Sequence, residues 1–172
     1  KGLDLVNRVI EQILDENTQL VVIGTGEPRY ENLFKHFQWK YPDRVSANIF
    51  FSEQRAHKLY AAADAMLVPS RFEPCGLTQL IALRYGTIPI VRETGGLKDT
   101  VSPYNEYENS GNGFSFGNYD SYDMLNVINY AKTIYFTQNE KWQEIIIRAM
   151  KSDFSWNFSA DQYAGMYNWL SN

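Results

Sequence analysis

Apolar residues at Leu5, Val6, Val9, Ile10, Ile13 and Leu14 recur at helical spacing until the polar run Asp15-Glu16-Asn17, which predicts a helix over residues 3–15. Gln19-Leu20-Val21-Val22-Ile23-Gly24 has a different pattern. It is short, continuously apolar and closed by glycine, as expected of a strand buried on both faces in a parallel sheet. The two signals then alternate. A helix is expected over 29–39 with Pro28 at a first helical position, and a strand over 44–51. Another helix runs from Ser52-Glu53 through Ala63, with Ser52 as N-cap and Leu59 and Tyr60 inward, and a strand follows over 64–68. The next helix begins at Cys75-Gly76 and runs to Arg84, and the strand over 88–91 tolerates Pro89 near its start.

Thr94-Gly95-Gly96-Leu97 reads as a flexible connection, 102–113 as a polar surface loop and 113–116 as a short edge strand. Helices over 121–135, 140–150 and 159–170 complete the chain. In the last, Tyr163, Met166, Tyr167 and Leu170 keep helical spacing, which points to core or interdomain packing. Strand and helix units alternating over the first two thirds give an α/β fold, a parallel sheet with right-handed crossovers.

Composition narrows the picture. A chain of 172 residues, 44% apolar and 21% charged, suits one folded domain, taken as residues 1–172. A net charge of −4 without clustered Lys or Arg argues against a nucleic-acid partner. Cys75 is the single cysteine, so no internal disulfide forms, and a reducing compartment, the cytoplasm or a plastid-like one, is expected. No apolar run approaches a membrane span, so a soluble protein without a membrane partner is the expectation. Asn157-Phe158-Ser159 matches a glycosylation sequon, a triplet that arises by chance. Lys1-Gly2 leads straight into the first helical pattern with no initiator Met and no preceding strand, which reads as a piece of something larger.

Chemistry concentrates in residues 68–86. Pro69 and Pro74 forbid helix on either side of Glu73, so a strand end, a rigid loop and a helix start follow in order. Backbone N–H groups at Gly76, Leu77 and Thr78 lie at the positive end of the helix and suit a phosphate. A carboxylate beside such an anion site needs a ligand that spans both, with phosphate on the amides and hydroxyls on Glu73. A nucleotide sugar has that shape. The other loops at the carboxyl ends of the strands are 24–28, 50–53 and 92–97. Gly24-Thr25-Gly26 begins a dinucleotide fingerprint but lacks its third glycine, since Tyr30 and Glu31 follow. A nucleophilic Cys75 has no evident base, because His36 and His57 fall inside predicted helices as surface residues. No Cys, His and Asp cluster has metal-ligand spacing, so no metal or other cofactor is expected.

Ser70-Arg71-Phe72-Glu73-Pro74-Cys75-Gly76-Leu77-Thr78-Gln79, followed by Tyr85-Gly86-Thr87-Ile88-Pro89 and Thr94-Gly95-Gly96-Leu97-Lys98-Asp99-Thr100-Val101, closely resembles the bacterial glycogen synthases. Plant starch synthases share these motifs, and both are retaining GT-B glycosyltransferases. The likeness extends from Lys1-Gly2-Leu3-Asp4-Leu5 to Asp153-Phe154-Ser155-Trp156. It implies the Rossmann-like, nucleotide-sugar-binding C-terminal half of a GT-B fold, with residues 159–170 as the helix that crosses back to the other half. The implied reaction transfers glucose from ADP-glucose to the non-reducing end of an α-1,4-glucan, with attack on the same face assisted by the departing phosphate.

By the same resemblance, Lys1 pairs with the ADP diphosphate, Glu73 contacts the donor glucose hydroxyls, the backbone of Cys75, Gly76 and Leu77 touches sugar or phosphate, and Thr78 adds a hydroxyl. Phe51 falls where the family commonly stacks a tyrosine on adenine. The family arginine a few residues before the lysine is not in this chain. Ile81 lies where wider retaining families carry a second glutamate, and its apolar character agrees with the glycogen and starch synthase branch.

The isolated chain is expected to be inactive, since the glucan acceptor meets the absent N-terminal half. The resemblance also places a strand before Lys1 in the middle of the sheet, so we expect closure of the gap or pairing with another chain through unpaired strands, giving an oligomer. The alternatives are a plastid starch synthase, a GT-B enzyme using UDP-glucose, and a non-catalytic assembly module.

Overall fold

A computed structural model describes residues 1–171. Helix α1 (Leu3–Ile13) turns Leu5, Val6, Val9, Ile10 and Ile13 inward, as its spacing requires. It leads to β1 (Leu20–Ile23), α2 (Pro28–Lys40), β2 (Val45–Asn48), α3 (Glu53–Ala62) and β3 (Ala65–Val68). Then come α4 (Thr78–Tyr85), β4 (Ile88–Arg92), α5 (Gly95–Thr100), β5 (Phe114–Phe116), α6 (Ser121–Thr137), α7 (Asn139–Lys151) and α8 (Trp156–Leu170). Ser52 caps α3 by accepting from the Arg55 N–H, as its sequence position suggests.

All pairing between these strands is parallel, but it forms two ladders. One is β1 with β2, in the register Leu20↔Val45 to Ile23↔Asn48. The other has the order β3-β4-β5, with Ala65↔Ile88 and Ile90↔Phe114 among its partners. The expected closure between β1 and β3 does not occur, since these strands do not pair. The physical reason lies in α1. Its buried face belongs to one core with Val45 of β2 and Ile88 and Ile90 of β4, so the helix spans both halves and sets their spacing. A second small cluster, Val68, Val91, Leu97 and Val101, occupies the other face of β3 and β4 beneath α5, because successive strand residues point to opposite faces.

Two local expectations are corrected. Helix α4 starts at Thr78 rather than Cys75-Gly76, because Gly76 is left-handed, at φ +77°, and Leu77 is the N-cap. Residues 94–97 are not a loose connection, since Gly95 opens α5. The loop over 102–113 is polar as read, yet fastened. Asn112 Nδ2 donates to Thr100 O and Ser152 Oγ, and Arg148 Nε donates to Gly111 O at 2.7 Å. In α8 the periodic Tyr163, Met166, Tyr167 and Leu170 are exposed and the helix buries no residue, which removes the core alternative and leaves the interdomain one untouched. No helix among the described residues is long and apolar enough to cross a membrane.

Candidate functional site

The loop from Pro69 to Leu77 leaves the carboxyl end of β3 and is held from three directions. Arg92, which ends β4, donates from Nε to Ser70 O at 3.1 Å, from Nη2 to Arg71 O at 2.6 Å and from Nη1 to Gly117 O at 3.3 Å. One guanidinium therefore ties together the chain segments that follow β3, β4 and β5. Tyr119 lies beneath it, 5.6 Å from the guanidinium carbons of both Arg71 and Arg92, and donates its hydroxyl to Asp4 Oδ1 at 2.6 Å. Burial and the bond to Asp4 push the Tyr119 hydroxyl up to about 12, so it stays a donor at neutral pH.

That bond also fixes the start of α1. Gly2 is left-handed, at φ +78°, and a Cβ there would lie 2.0 Å from Pro69 O, so a side chain is excluded where the chain crosses the loop. Lys1 is thereby delivered to the loop. Its Nζ bonds Glu73 Oε2, which also accepts from Ser70 Oγ at 3.1 Å. The Lys1 bond, seconded by its charge and by Ser70, holds the Glu73 carboxyl below the usual carboxylate range, with burial opposing. Only 14% of the Glu73 side chain is exposed, against 71% for Lys1.

Beyond Glu73 the backbone turns its donors outward. Among the described residues the N–H groups of Gly76, Leu77 and Thr78 have no hydrogen-bond acceptor, and α4 has no side-chain cap. Consecutive left-handed and right-handed residues, Gly76 then Leu77, form the kind of concavity that receives an anion. The loop is closely crossed by the first turn of α5. A Cβ on Gly95 would lie 2.2 Å from Glu73 O, one on Gly96 2.1 Å from Cys75 O, and the Gly96 N–H donates to Glu73 O and Pro74 O.

The structure thus brings Lys1, Glu73, Cys75, Gly76, Leu77 and Thr78 to one ledge. Cys75 is an exposed free thiol. Phe51 lies on the other ladder, at the carboxyl end of β2, and stands 86% exposed. His36 and His57 are exposed on α2 and α3. The loop after β1 differs from the Glu73 loop, since the Gly26 N–H is occupied by Glu31 Oε1 at 3.0 Å. Among the described residues no group of three or more His, Cys, Asp or Glu is placed to hold a metal ion.

Sequence reasoning missed Arg92, Ser70 and Tyr119. The available signal was a lone cation closing the apolar run Ile88-Pro89-Ile90-Val91.

Residues 1–151 match the family model described as glycosyl transferases group 1. The glycogen synthase of Lachnospira eligens is 62% identical over 170 residues, which are 99% of this chain and 36% of that protein. That of Lachnoclostridium phytofermentans is 57% identical over 169 residues, 98% of this chain and 35% of that one. The chain thus spans about a third of the length of these curated relatives. The catalytic domain of starch synthase IV from Arabidopsis thaliana, solved with ADP and acarbose, is similar at a TM-score of 0.82 and 34% identity, over 98% of this chain and 35% of that one. Sucrose-phosphate synthase from Thermosynechococcus elongatus, at a TM-score of 0.68 and 24% identity, covers 99% of this chain and 42% of its own and shares the fold. With the family model matching 151 of 172 residues, and the parallel α/β halves and the Glu73 loop in place, the chain belongs to the group 1 glycosyl transferases.

Proposed function

We propose that this chain is the donor-binding part of a glucan synthase that transfers glucose from ADP-glucose to the non-reducing end of an α-1,4-glucan with retention of configuration. The observation that carries the reading is the juxtaposition of the Lys1–Glu73 pair with three backbone N–H groups that have no partner among the described residues. A diphosphate is suited to the amides at Gly76, Leu77 and Thr78 and draws Lys1 toward itself, while the sugar hydroxyls replace Lys1 on Glu73. As the bond from glucose C1 to the phosphate oxygen breaks, Lys1 and the amides stabilise the negative charge that develops on ADP. The acceptor hydroxyl forms the new bond on the same face and gives its proton to the departing phosphate. The Thr78 hydroxyl and the backbone of Cys75 complete the contacts, and the exposed Phe51 ring is free to stack on adenine. No metal enters this reading.

The naming of the relatives as glycogen synthases, and the presence of ADP in the starch synthase structure, support the choice of donor. The glucan acceptor requires groups outside these residues, so the isolated chain binds ADP weakly and elongates nothing. We place the protein in the cytoplasm, and assign the unpaired edges of β1 and β3 to strand pairing with further polypeptide, in an oligomer or in the longer protein.

The test is Glu73→Ala in a longer protein that contains this chain, assayed for glucose transfer from ADP-glucose. Loss of at least a hundredfold in kcat is expected, and unchanged turnover would instead favour a non-catalytic assembly module. Competition between ADP-glucose and UDP-glucose in the same assay separates the two donors.

A further inference from the structure

Gln79 is fully buried, at 0% exposure, in the first turn of α4. Its amide nitrogen lies within hydrogen-bond distance of Cys75 O at 3.0 Å, Gly76 O at 2.8 Å and Thr100 Oγ1 at 3.2 Å, three acceptors that share its two N–H hydrogens. The Thr100 hydroxyl in turn donates to Gly96 O at 2.5 Å. Its amide oxygen has no hydrogen-bond partner although it is buried. That oxygen occupies the space a side chain on Gly76 would fill, 2.5 Å from an ideal Cβ there.

An orphaned buried acceptor is a cost, and rotating the amide would not relieve it. The rotated oxygen would face two carbonyls and strip both of their donor.

The consequence follows from peptide planarity. Cys75 C=O and Gly76 N–H belong to one trans peptide, and Gly76 C=O and Leu77 N–H to the next, so in each the two groups point in opposite directions. Holding both carbonyls on the buried Gln79 amide turns both N–H groups toward the exposed face. We infer that Gln79 is a positioning residue for the donor diphosphate, pinning the Cys75 and Gly76 carbonyls inward so that the Gly76 and Leu77 N–H groups face the ligand. It never touches the ligand itself. The inference rests on the nucleotide-sugar reading of the loop.

Two variants test it in this chain. Gln79→Met keeps length and burial without a donor, and Gln79→Glu keeps shape while placing oxygen against the two carbonyls. Calorimetry or amide NMR with ADP and with adenosine as probes separates phosphate contacts from base contacts, and circular dichroism confirms that each variant folds.

The expected result for Gln79→Met is an ADP affinity at least tenfold weaker with adenosine affinity within twofold of the parent. Gln79→Glu should recover part of its ADP affinity as pH falls from 8 to 5, because the protonated carboxyl regains a donor. Two outcomes overturn the inference alone, given a parent chain that binds ADP. One is ADP affinity unchanged in Gln79→Met, and the other is ADP and adenosine weakened equally. A parent chain that shows no ADP response at millimolar concentration overturns the nucleotide reading, and this inference falls with it.

Discussion

Two turns of this molecule have the same outline and opposite chemistry. Each leaves the carboxyl end of a parallel strand, passes through glycine and enters a helix. After β1, the Gly26 N–H is filled by Glu31 from the first turn of α2, and Pro28 at the helix start has no N–H to offer. After β3, a buried glutamine takes the carbonyls, and the N–H groups of Gly76, Leu77 and Thr78 have no partner among the described residues. Glycine after a strand is therefore a weak sign of an anion site. What separates the two turns is that a side chain of the following helix takes a backbone donor after β1, at Gly26, and takes backbone acceptors after β3, at Cys75 and Gly76.

The halves that carry these turns differ in the same sense. In β4 four of five residues are buried, whereas in β1 none is and Val21 is 42% exposed. The β3–β5 half is the more deeply buried scaffold for its loop, completed by α1. The β1–β2 half is a thin ledge fastened through α1.

The largest expected effect tests that contrast directly. Leu83→Ala, which empties a fully buried site on α4, should cost about 2–5 kcal/mol, while Val21→Ala should stay within about 0.5 kcal/mol. Urea unfolding of both variants measures it, and equal losses would erase the distinction between the halves. Glu31→Ala should cost less, about 0.5–1 kcal/mol, by removing the bond to the Gly26 N–H. The same urea experiment reads this out, and no measurable loss would show that the carboxylate does not occupy the donor.

The smallest effect concerns the tie between α1 and α6. Lys132 donates to Ile13 O at 3.0 Å and pairs with Asp15. Burial opposes ionisation of Asp15, yet the bonds from Lys132, Thr18 and the Asn17 N–H outweigh it and bring the carboxyl from 3.8 to about 2. A value depressed in the folded state stabilises fully above the ordinary 3.8 and is lost as pH falls toward about 2. Lys132→Met should raise the Asp15 midpoint toward its ordinary value, followed by carboxyl NMR titration. It should flatten the stability profile in that window only slightly, because Asp15 is half exposed and screened by solvent.

Local patterns were legible in the sequence wherever a single element decided them. The spacing of Leu5 to Ile13 announced a helix because burial set each residue's type, whereas the apolar run Leu20-Val21-Val22-Ile23 announced a strand correctly but not its burial on both faces, since β1 buries none of its residues here. Glu73 was legible because prolines on both sides left it no helical role. Gly95 and Gly96 misled, since two glycines suggest looseness when read locally. Here they open a helix, and the reason they carry no side chain is the backbone of residues 73–75, more than twenty positions away in the chain. The contacts Lys1 to Glu73 and Gln79 to Thr100 were hidden for the same reason, as pairing across 72 and 21 residues leaves no local spacing. The period in α8 is real but lies on a face this chain does not cover.

The close crossing at Gly95 and Gly96 has a mechanical meaning. No side chain fits between the first turn of α5 and the loop bearing Glu73, and the Gly96 N–H bonds to Glu73 O and Pro74 O join the two backbones directly. The position of the Glu73 loop is therefore set in part by a six-residue helix that follows β4, so a change in the first turn of α5 bears directly on the backbone that carries Glu73.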